Sequence, residues 1–481
     1  MKVVLLKPPK FLQVWAGVPD VFNDPAAHIY PPMGIMQLSS YLKESTEHEI
    51  VLIDAVPSLW SYEEATQQVL NHKPDVVGIT TTTHSILCAA TMARLLKAAS
   101  PDTTIVLGGP HVSAFPEIAL EIKEFDYAVQ GDGETAMREL LECLAKNEKP
   151  TGVKGIIWRN DDKVVSNGPA VPLEDLDSLP LPDRENLPTE RYYTPSNAYR
   201  VASTIMGSRG CPNQCVFCNV PHRFRARSPR HIVDEMVECV ERYGIQEIHF
   251  IDDIFNISAK RVIEISEEIL RRGVHIHWGF KASCNQVTPE MLKIAKRAGC
   301  FRIHYGVETH NQEGLKALNK GITIERIHEV FQMTRDAGLI AIAYMMVGCP
   351  HEKDPEEVLK IIDFIRKLNP DYVVYSLFTP YPDTEIFKVG AERGLWEADV
   401  WEKFICDPQP GVKLPTMWTE HIDEDTLLML FKRTNRAFYF SPKVLLRTLL
   451  HLKSPAHLAR IIRGGMSVLK LQLLSVTSRR I

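Results

Sequence analysis

The feature that most constrains this 481-residue sequence is an alternation of short apolar runs with helical patterns, in two blocks. In the first block, Lys2–Leu6, Ile50–Ile53, Val76–Thr80, Ile105–Leu107 and Tyr127–Val129 are brief runs dominated by Val, Ile and Leu. Between them, Pro32–Lys43, Tyr62–Leu70, Ile86–Ala99 and Glu134–Ala145 carry apolar residues at helical spacing. Strands apolar on both faces belong in a parallel sheet, whose crossover helices cover it. Residues 1–150 are therefore predicted as a doubly wound α/β domain, which binds ligands outside the carboxyl ends of its strands.

The alternation returns at Ser203. Strand-like runs at Ser203–Met206, Glu247–Ile251, Ile276–Phe280, Phe301–Tyr305, Ile340–Val347 and Tyr372–Phe378 alternate with helical patterns. Six such units predict a partial (β/α)6 TIM-type barrel over residues 201–385, since eight would close it. Between the blocks, Pro169, Pro172, Pro180, Pro182 and Pro188 punctuate residues 151–200, which are expected to form an extended linker. Residues 386–481 read as a helical C-terminal region without a metal or nucleotide motif.

Composition narrows the class. Ten cysteines in a chain this long do not suggest a disulfide scaffold. No stretch approaches the roughly 20 apolar residues that span a bilayer. The opening MKVVLLKPPKF reads as a strand rather than a signal peptide, so a cytoplasmic location is expected. The net charge of −5 hides an asymmetry: after Asp425 there is no acid and there are eleven Lys or Arg residues. A basic, amphipathic segment of this kind suits an anionic surface, although a helical cap with a solvated basic face reads equally well. No recognition motif accompanies the charge, so nucleic acid is not expected.

Seven cysteines are scattered and read as small buried apolar residues. The other three lie in Gly207-Ser208-Arg209-Gly210-Cys211-Pro212-Asn213-Gln214-Cys215-Val216-Phe217-Cys218. Three thiolates on a short loop suit three irons of a [4Fe–4S] cubane and leave the fourth iron open. A zinc site would want a fourth ligand, for which His222 has acceptable spacing.

The Cys211, Cys215, Cys218 spacing, with Phe217 before the last cysteine, resembles the radical S-adenosylmethionine superfamily. That resemblance implies that the open iron chelates S-adenosylmethionine and that one electron yields a 5′-deoxyadenosyl radical. It also implies that Asp252 and Asp253 meet the amino group of S-adenosylmethionine. Gly306 and Glu308 would meet its ribose and methionine, and Tyr344 and Gly348 its adenine. Lys281 joins them from a strand end where many relatives carry Arg. The plainer reading of Asp252, Asp253 and Glu308 is helix capping at strand–helix turns.

The first domain resembles the Rossmann-like cobalamin-binding domain that precedes many such enzymes, on Pro31-Pro32-Met33-Gly34, Gly108-Gly109-Pro110-His111 and Gly131-Asp132-Gly133-Glu134. Cobalamin is implied, with Gly108, Gly109, His111, Gly131 and Glu134 at strand ends and Thr80 and Thr83 offering hydroxyls. The Asp-x-His-x-x-Gly motif that supplies a cobalt ligand elsewhere is absent; a turn histidine is the plainer reading of His111.

The two resemblances imply a C-methyltransferase acting on an unactivated carbon. The alternative is an oxidative cyclase similar to the anaerobic magnesium-protoporphyrin monomethyl ester cyclase. A tRNA methylthiotransferase would want more cysteines in the first domain than Cys88 and Cys143, and a terminal β-domain. A non-catalytic cluster carrier would form no 5′-deoxyadenosine. The expected partners are a small-molecule substrate, hydrophobic or tetrapyrrole, an electron donor such as flavodoxin or ferredoxin, and a membrane surface met by the basic segment.

Overall fold

The apolar runs of the first block pair as one sheet in the computed structural model, which describes residues 1–13, 29–161, 163–192, 197–407 and 414–450, with isolated helical positions from 458 to 469. Strands β1 (Lys2–Lys7), β2 (Glu49–Asp54), β3 (Val76–Thr80), β4 (Thr104–Gly108) and β5 (Tyr127–Val129) are mutually parallel. Val3, Val4, Leu5 and Leu6 are at most 1% exposed, as a strand covered on both faces requires. Helices α1 (Met33–Ser45), α2 (Tyr62–Asn71), α3 (Ile86–Ala99), α4 (Pro110–Ala114) and α5 (Gly133–Ala145) supply the crossovers. The strand order begins β2-β1-β3-β4-β5. The direction of winding reverses at β1, so the ligand crevice lies beside the carboxyl ends of β1 and β3.

Residues 151–200 differ from the expected linker. Strands β6 (Ile156–Asn160) and β7 (Lys163–Ser166) add an antiparallel hairpin to β5. Beyond it, the buried Asp183 accepts from Ser39 Oγ at 2.6 Å and from Lys43 Nζ at 2.7 Å. The Tyr192 hydroxyl meets Asp54 at 3.1 Å. Polar groups buried this way must find partners, and these find them on α1 and at the end of β2, so the segment up to Tyr192 is an integral part of the first unit.

The second block forms a separate six-stranded sheet, β15-β14-β13-β12-β11-β8, parallel throughout. Its strands are β8 (Ala202–Ile205), β11 (Glu247–Phe250), β12 (His277–Ala282), β13 (Cys300–Glu308), β14 (Ile340–Val347) and β15 (Tyr372–Leu377), while β9 (Ser208–Arg209) and β10 (Arg225–Ala226) form a small antiparallel ribbon after β8. Helices α6 (Pro229–Glu241), α7 (Ala259–Arg271), α8 (Pro289–Arg297), α9 (Gln312–Ala317), α10 (Ile324–Asp336) and α11 (Pro355–Leu368) connect the strands. Ser228, Ser258, Thr288, Asn311, Thr323 and Asp354 cap these six helices through their side chains. Each cap is worth about 1 kcal/mol.

Alternation along the strands sends Phe250, Trp278, Phe280, Ile303 and Tyr305 into the apolar core. The opposite face carries His249, Lys281, Arg302, His304 and Tyr344. Helices α12 (Glu385–Glu392), α13 (Val400–Cys406), α14 (Glu424–Tyr439) and α15 (Pro442–Leu450) follow. They do not form one region. α14 packs on α11, β14 and β15, whereas α13 belongs to the first unit.

Candidate active site

The cysteine loop is held at its neck by backbone. Gly210 has φ +83°, and a Cβ there would lie 2.3 Å from the Arg223 carbonyl oxygen and 2.7 Å from that of Pro221. The Cys211 N–H donates to the Pro221 oxygen at 2.9 Å. Only glycine lets the two legs approach so closely. Farther out, the Val216 N–H donates to Leu318 O, Asn319 Nδ2 to Gln214 O, and the Ile386 N–H to Val216 O. Cys211, Cys215 and Cys218 are all free thiols. Burial pushes the first two thiols up, and Lys320 pulls Cys215 back. His222 turns Nδ1 toward the Cys211 carbonyl at 3.4 Å. Among the described residues no group of three His, Cys, Asp or Glu side chains forms a single-ion site.

Asp252 and Asp253 work on this loop from the end of β11. Asp252 is 1% exposed and accepts the Gly207 N–H at 2.8 Å and the Ser208 hydroxyl at 2.5 Å. Burial pushes its carboxyl up to about 6. Both oxygens thus accept from the base of the loop. Asp253 accepts the Gly210 N–H at 3.2 Å, and its side chain is otherwise open to solvent. The cap reading fails for both, because Ser258 caps α7.

At the end of β13, Glu308 has φ +70°, a strained conformation for a side-chain-bearing residue, beside a register shift between β13 and β14. Asn311 caps α9, so Glu308 is no cap either. Its Oε1 meets Lys320 Nζ at 2.7 Å, and that ammonium lies 5.7 Å from the Phe217 ring centroid. Burial opposes the Lys320 charge, but Glu308 and Cys215 outweigh it and raise its pKa. A Cβ on Gly306 would fall 2.5 Å from the Glu308 carboxylate and 2.9 Å from the Lys320 ammonium. Gly306 therefore keeps room for the ion pair. Lys320 carried no signal in the sequence: it is a lone cation beyond a short helix.

Deeper on the same face, the Tyr344 hydroxyl lies 3.0 Å from His304 Nδ1, and the His304 and His249 rings are 4.9 Å apart. Burial first, then neighbouring cations, lowers both imidazoles well below their ordinary value. His304 Nε2 and His249 Nδ1 are buried without a hydrogen-bond partner. Lys281 adds a half-buried cation. Gly348 has φ +81°, and a Cβ there would lie 2.6 Å from Leu427 of α14.

In the first unit the expected residues divide in the same way. Gly109 (φ +98°) has Thr81 O at 2.5 Å from its absent Cβ, and Gly131 packs on Ala170. These two shape turns. Gly108 and Gly34 have nothing within 4 Å of a built Cβ, which leaves their backbone open to a ligand. His111 is 1% exposed; Nδ1 meets Thr83 Oγ1 at 3.3 Å while Nε2 has no partner. Burial holds this imidazole down to about 4. Thr80 ends β3 beside Gly109, and Glu134 is buried in the first turn of α5. Open glycines and an orphaned imidazole at carboxyl ends fit a bulky, polar-edged ligand such as a corrin.

Residues 205–383 match the Radical SAM superfamily and residues 19–141 match the B12 binding domain. A methyltransferase of Pyrococcus horikoshii, itself uncharacterized, is 31% identical over 422 residues, covering 87% of this chain and 89% of its own length. The chain belongs to the radical S-adenosylmethionine superfamily. Within it, the B12 binding domain places it among the cobalamin-dependent enzymes, with a [4Fe–4S] cluster, S-adenosylmethionine and cobalamin as cofactors. The anaerobic magnesium-protoporphyrin IX monomethyl ester cyclase of Rubrivivax gelatinosus is 30% identical over 75% of this radical S-adenosylmethionine enzyme, which spans 66% of the cyclase. The solved structure of the cobalamin-dependent S-adenosylmethionine radical enzyme OxsB shares the fold at TM-score 0.72, with 18% identity over 98% of this chain and 72% of that one.

Proposed function

We propose that this enzyme transfers a methyl group to an unactivated carbon of a small-molecule substrate. The observation that carries the reading is coverage: the chain spans 89% of the Pyrococcus methyltransferase but 66% of the Rubrivivax cyclase. When bound, the cluster supplies an electron, S-adenosylmethionine the radical and the methyl group, and cobalamin the methyl carrier. Cys211, Cys215 and Cys218 hold the cluster, and Asp252 keeps their loop in register through Gly207 and Ser208. Asp253, Glu308 and Lys281 offer charge to the amino and carboxylate groups of S-adenosylmethionine, with Lys320, its ammonium over the Phe217 ring, fixing Glu308. Tyr344 and His304 supply a hydrogen-bonding wall below. Gly108 and His111 receive the corrin in the first unit. The cluster would take its electron from a donor such as flavodoxin or ferredoxin, and the substrate is hydrophobic or a tetrapyrrole.

Ring closure is the second reading, favoured by the 30% identity to the cyclase. The test is anaerobic reconstitution followed by mass spectrometry of the products with candidate substrates. S-adenosylhomocysteine beside 5′-deoxyadenosine supports methyl transfer. 5′-Deoxyadenosine alone, with a substrate that is consumed, overturns it in favour of cyclase chemistry.

A further inference from the structure

The exposed side of α14 is unlike an ordinary solvated helix face. Its buried side carries Leu427, Leu430, Phe431, Thr434 and Phe438, packed into the barrel unit. The outward positions Met429, Arg433, Arg436 and Phe440 recur at helical spacing, with Met429 51% and Phe440 47% exposed. The next helix continues the pattern. In α15, Val444 is buried, whereas Lys443 is exposed and Leu445 and Leu446 are 52% and 61% exposed. Beyond it, the helical positions Ile462, Met466 and Leu469 are each about half exposed. Along α14 and α15, exposed apolar side chains and cations therefore alternate.

The charge has one sign. No Asp or Glu follows Asp425, against eleven Lys and Arg. Among the described residues, Arg433, Arg436 and Lys443 form no ion pair; Arg447 differs, being held by Asp371 at 3.3 Å. A second copy of this surface would meet it with like charge. A nucleic acid would use the cations but leave the Leu, Ile, Met and Phe side chains in water. An anionic bilayer uses both: lipid headgroups neutralise the cations while apolar side chains enter the acyl boundary. No described helix is long and apolar enough to cross a membrane, so the contact is with its surface.

We propose that α14 and α15 form a docking surface for an anionic lipid bilayer. The proposal is independent of whether the reaction is methyl transfer or ring closure.

The test is co-sedimentation of the full chain with phosphatidylcholine vesicles, with and without phosphatidylglycerol, at low and raised ionic strength. Binding is expected only with the anionic lipid and is expected to weaken with salt. Neutralising Arg433, Arg436 and Lys443 together (R433Q/R436Q/K443Q) should lower partitioning about a hundredfold, at about fivefold per cation. Phe440→Ser with Leu446→Ser should lower it without changing the salt dependence. All five positions are exposed, and circular dichroism checks that each variant folds. No binding to anionic vesicles, equal binding to neutral ones, or unchanged binding of the charge variant would each overturn the proposal. So would capture of an acidic protein, or self-association lost in the Ser variants, without vesicle binding.

Discussion

Asp252 offers a sharp test of how the cysteine loop is held. Replacing it with Ala removes the acceptor for the Gly207 N–H and the Ser208 hydroxyl, both buried with it. An orphaned buried polar group costs about 1–3 kcal/mol, so the two together cost about 2–6 kcal/mol at the loop base. Even about 3 kcal/mol should speed exchange of the Gly207 amide roughly a hundredfold. Hydrogen exchange read by mass spectrometry on residues 205–212 would show it. The ionisation adds a second, independent signature. The folded carboxyl titrates near 6 against an ordinary value of 3.8. Because the folded pKa is the higher one, the unfolded chain releases this proton first as pH rises. Stability from this group is therefore greatest below about pH 4 and is lost as pH climbs through about 6. Two units amount to about 3 kcal/mol. Asp252→Asn cannot titrate, so its stability relative to the parent should improve by about that much between about pH 4 and pH 7. Urea unfolding of the cluster-free protein across a pH series measures the difference. Parallel pH curves for parent and Asn variant, or unchanged Gly207 exchange in the Ala variant, would refute the reasoning.

Three further outcomes are expected. Gly210→Ala must move the Arg223 and Pro221 carbonyls, so iron and sulfide content after reconstitution should fall severalfold while far-ultraviolet circular dichroism stays unchanged. Gly348→Ala should destabilise the barrel unit by about 1–3 kcal/mol through overpacking against Leu427. Leu427→Ala in the same chain should cost less in that background than alone, and strict additivity in urea melts would count against the contact. Lys320→Met leaves the Glu308 carboxylate without its cation and should weaken S-adenosylmethionine binding about tenfold in equilibrium dialysis. Lys320→Arg should restore most of it, and equal affinities for all three proteins would remove Lys320 from the site.

Strands that are apolar on both faces were legible because burial on two sides leaves no polar alternation to confuse. Hence β1 and β3 fall within a residue of the expected runs, and the cysteine loop was legible from spacing alone. What escaped depends on partners far along the chain. The β6–β7 hairpin lies at a sheet edge, and β7 is largely exposed, so Lys163–Ser166 lacks a buried pattern. Asp183 finds Ser39 a full 144 residues away. That Glu308 is no cap is settled only by Asn311, which holds α9. The edge-on pair His249 and His304 becomes meaningful only when β11 and β13 bring the side chains to one face, and Lys320 only beside Glu308. A strand-end glycine such as Gly348 serves ligands and packing equally well, and its packing against Leu427, 79 residues on, has no sequence signal.

The placement of α13 bears on how the chain acquires its structure during synthesis. The first unit takes Met1–Trp15 and His28–Tyr192 and is completed by Asp399–Val412, after the barrel strands have been made. Trp401 is 1% exposed there, edge-on to His84, with Ile405 buried beside it. On the ribosome, the first sheet must therefore wait some two hundred residues for its last apolar plug. A fragment ending near residue 192 would bare the Trp401 socket. Expression of the halves as separate polypeptides is expected to yield a soluble first unit only when residues 399–407 are grafted back onto it.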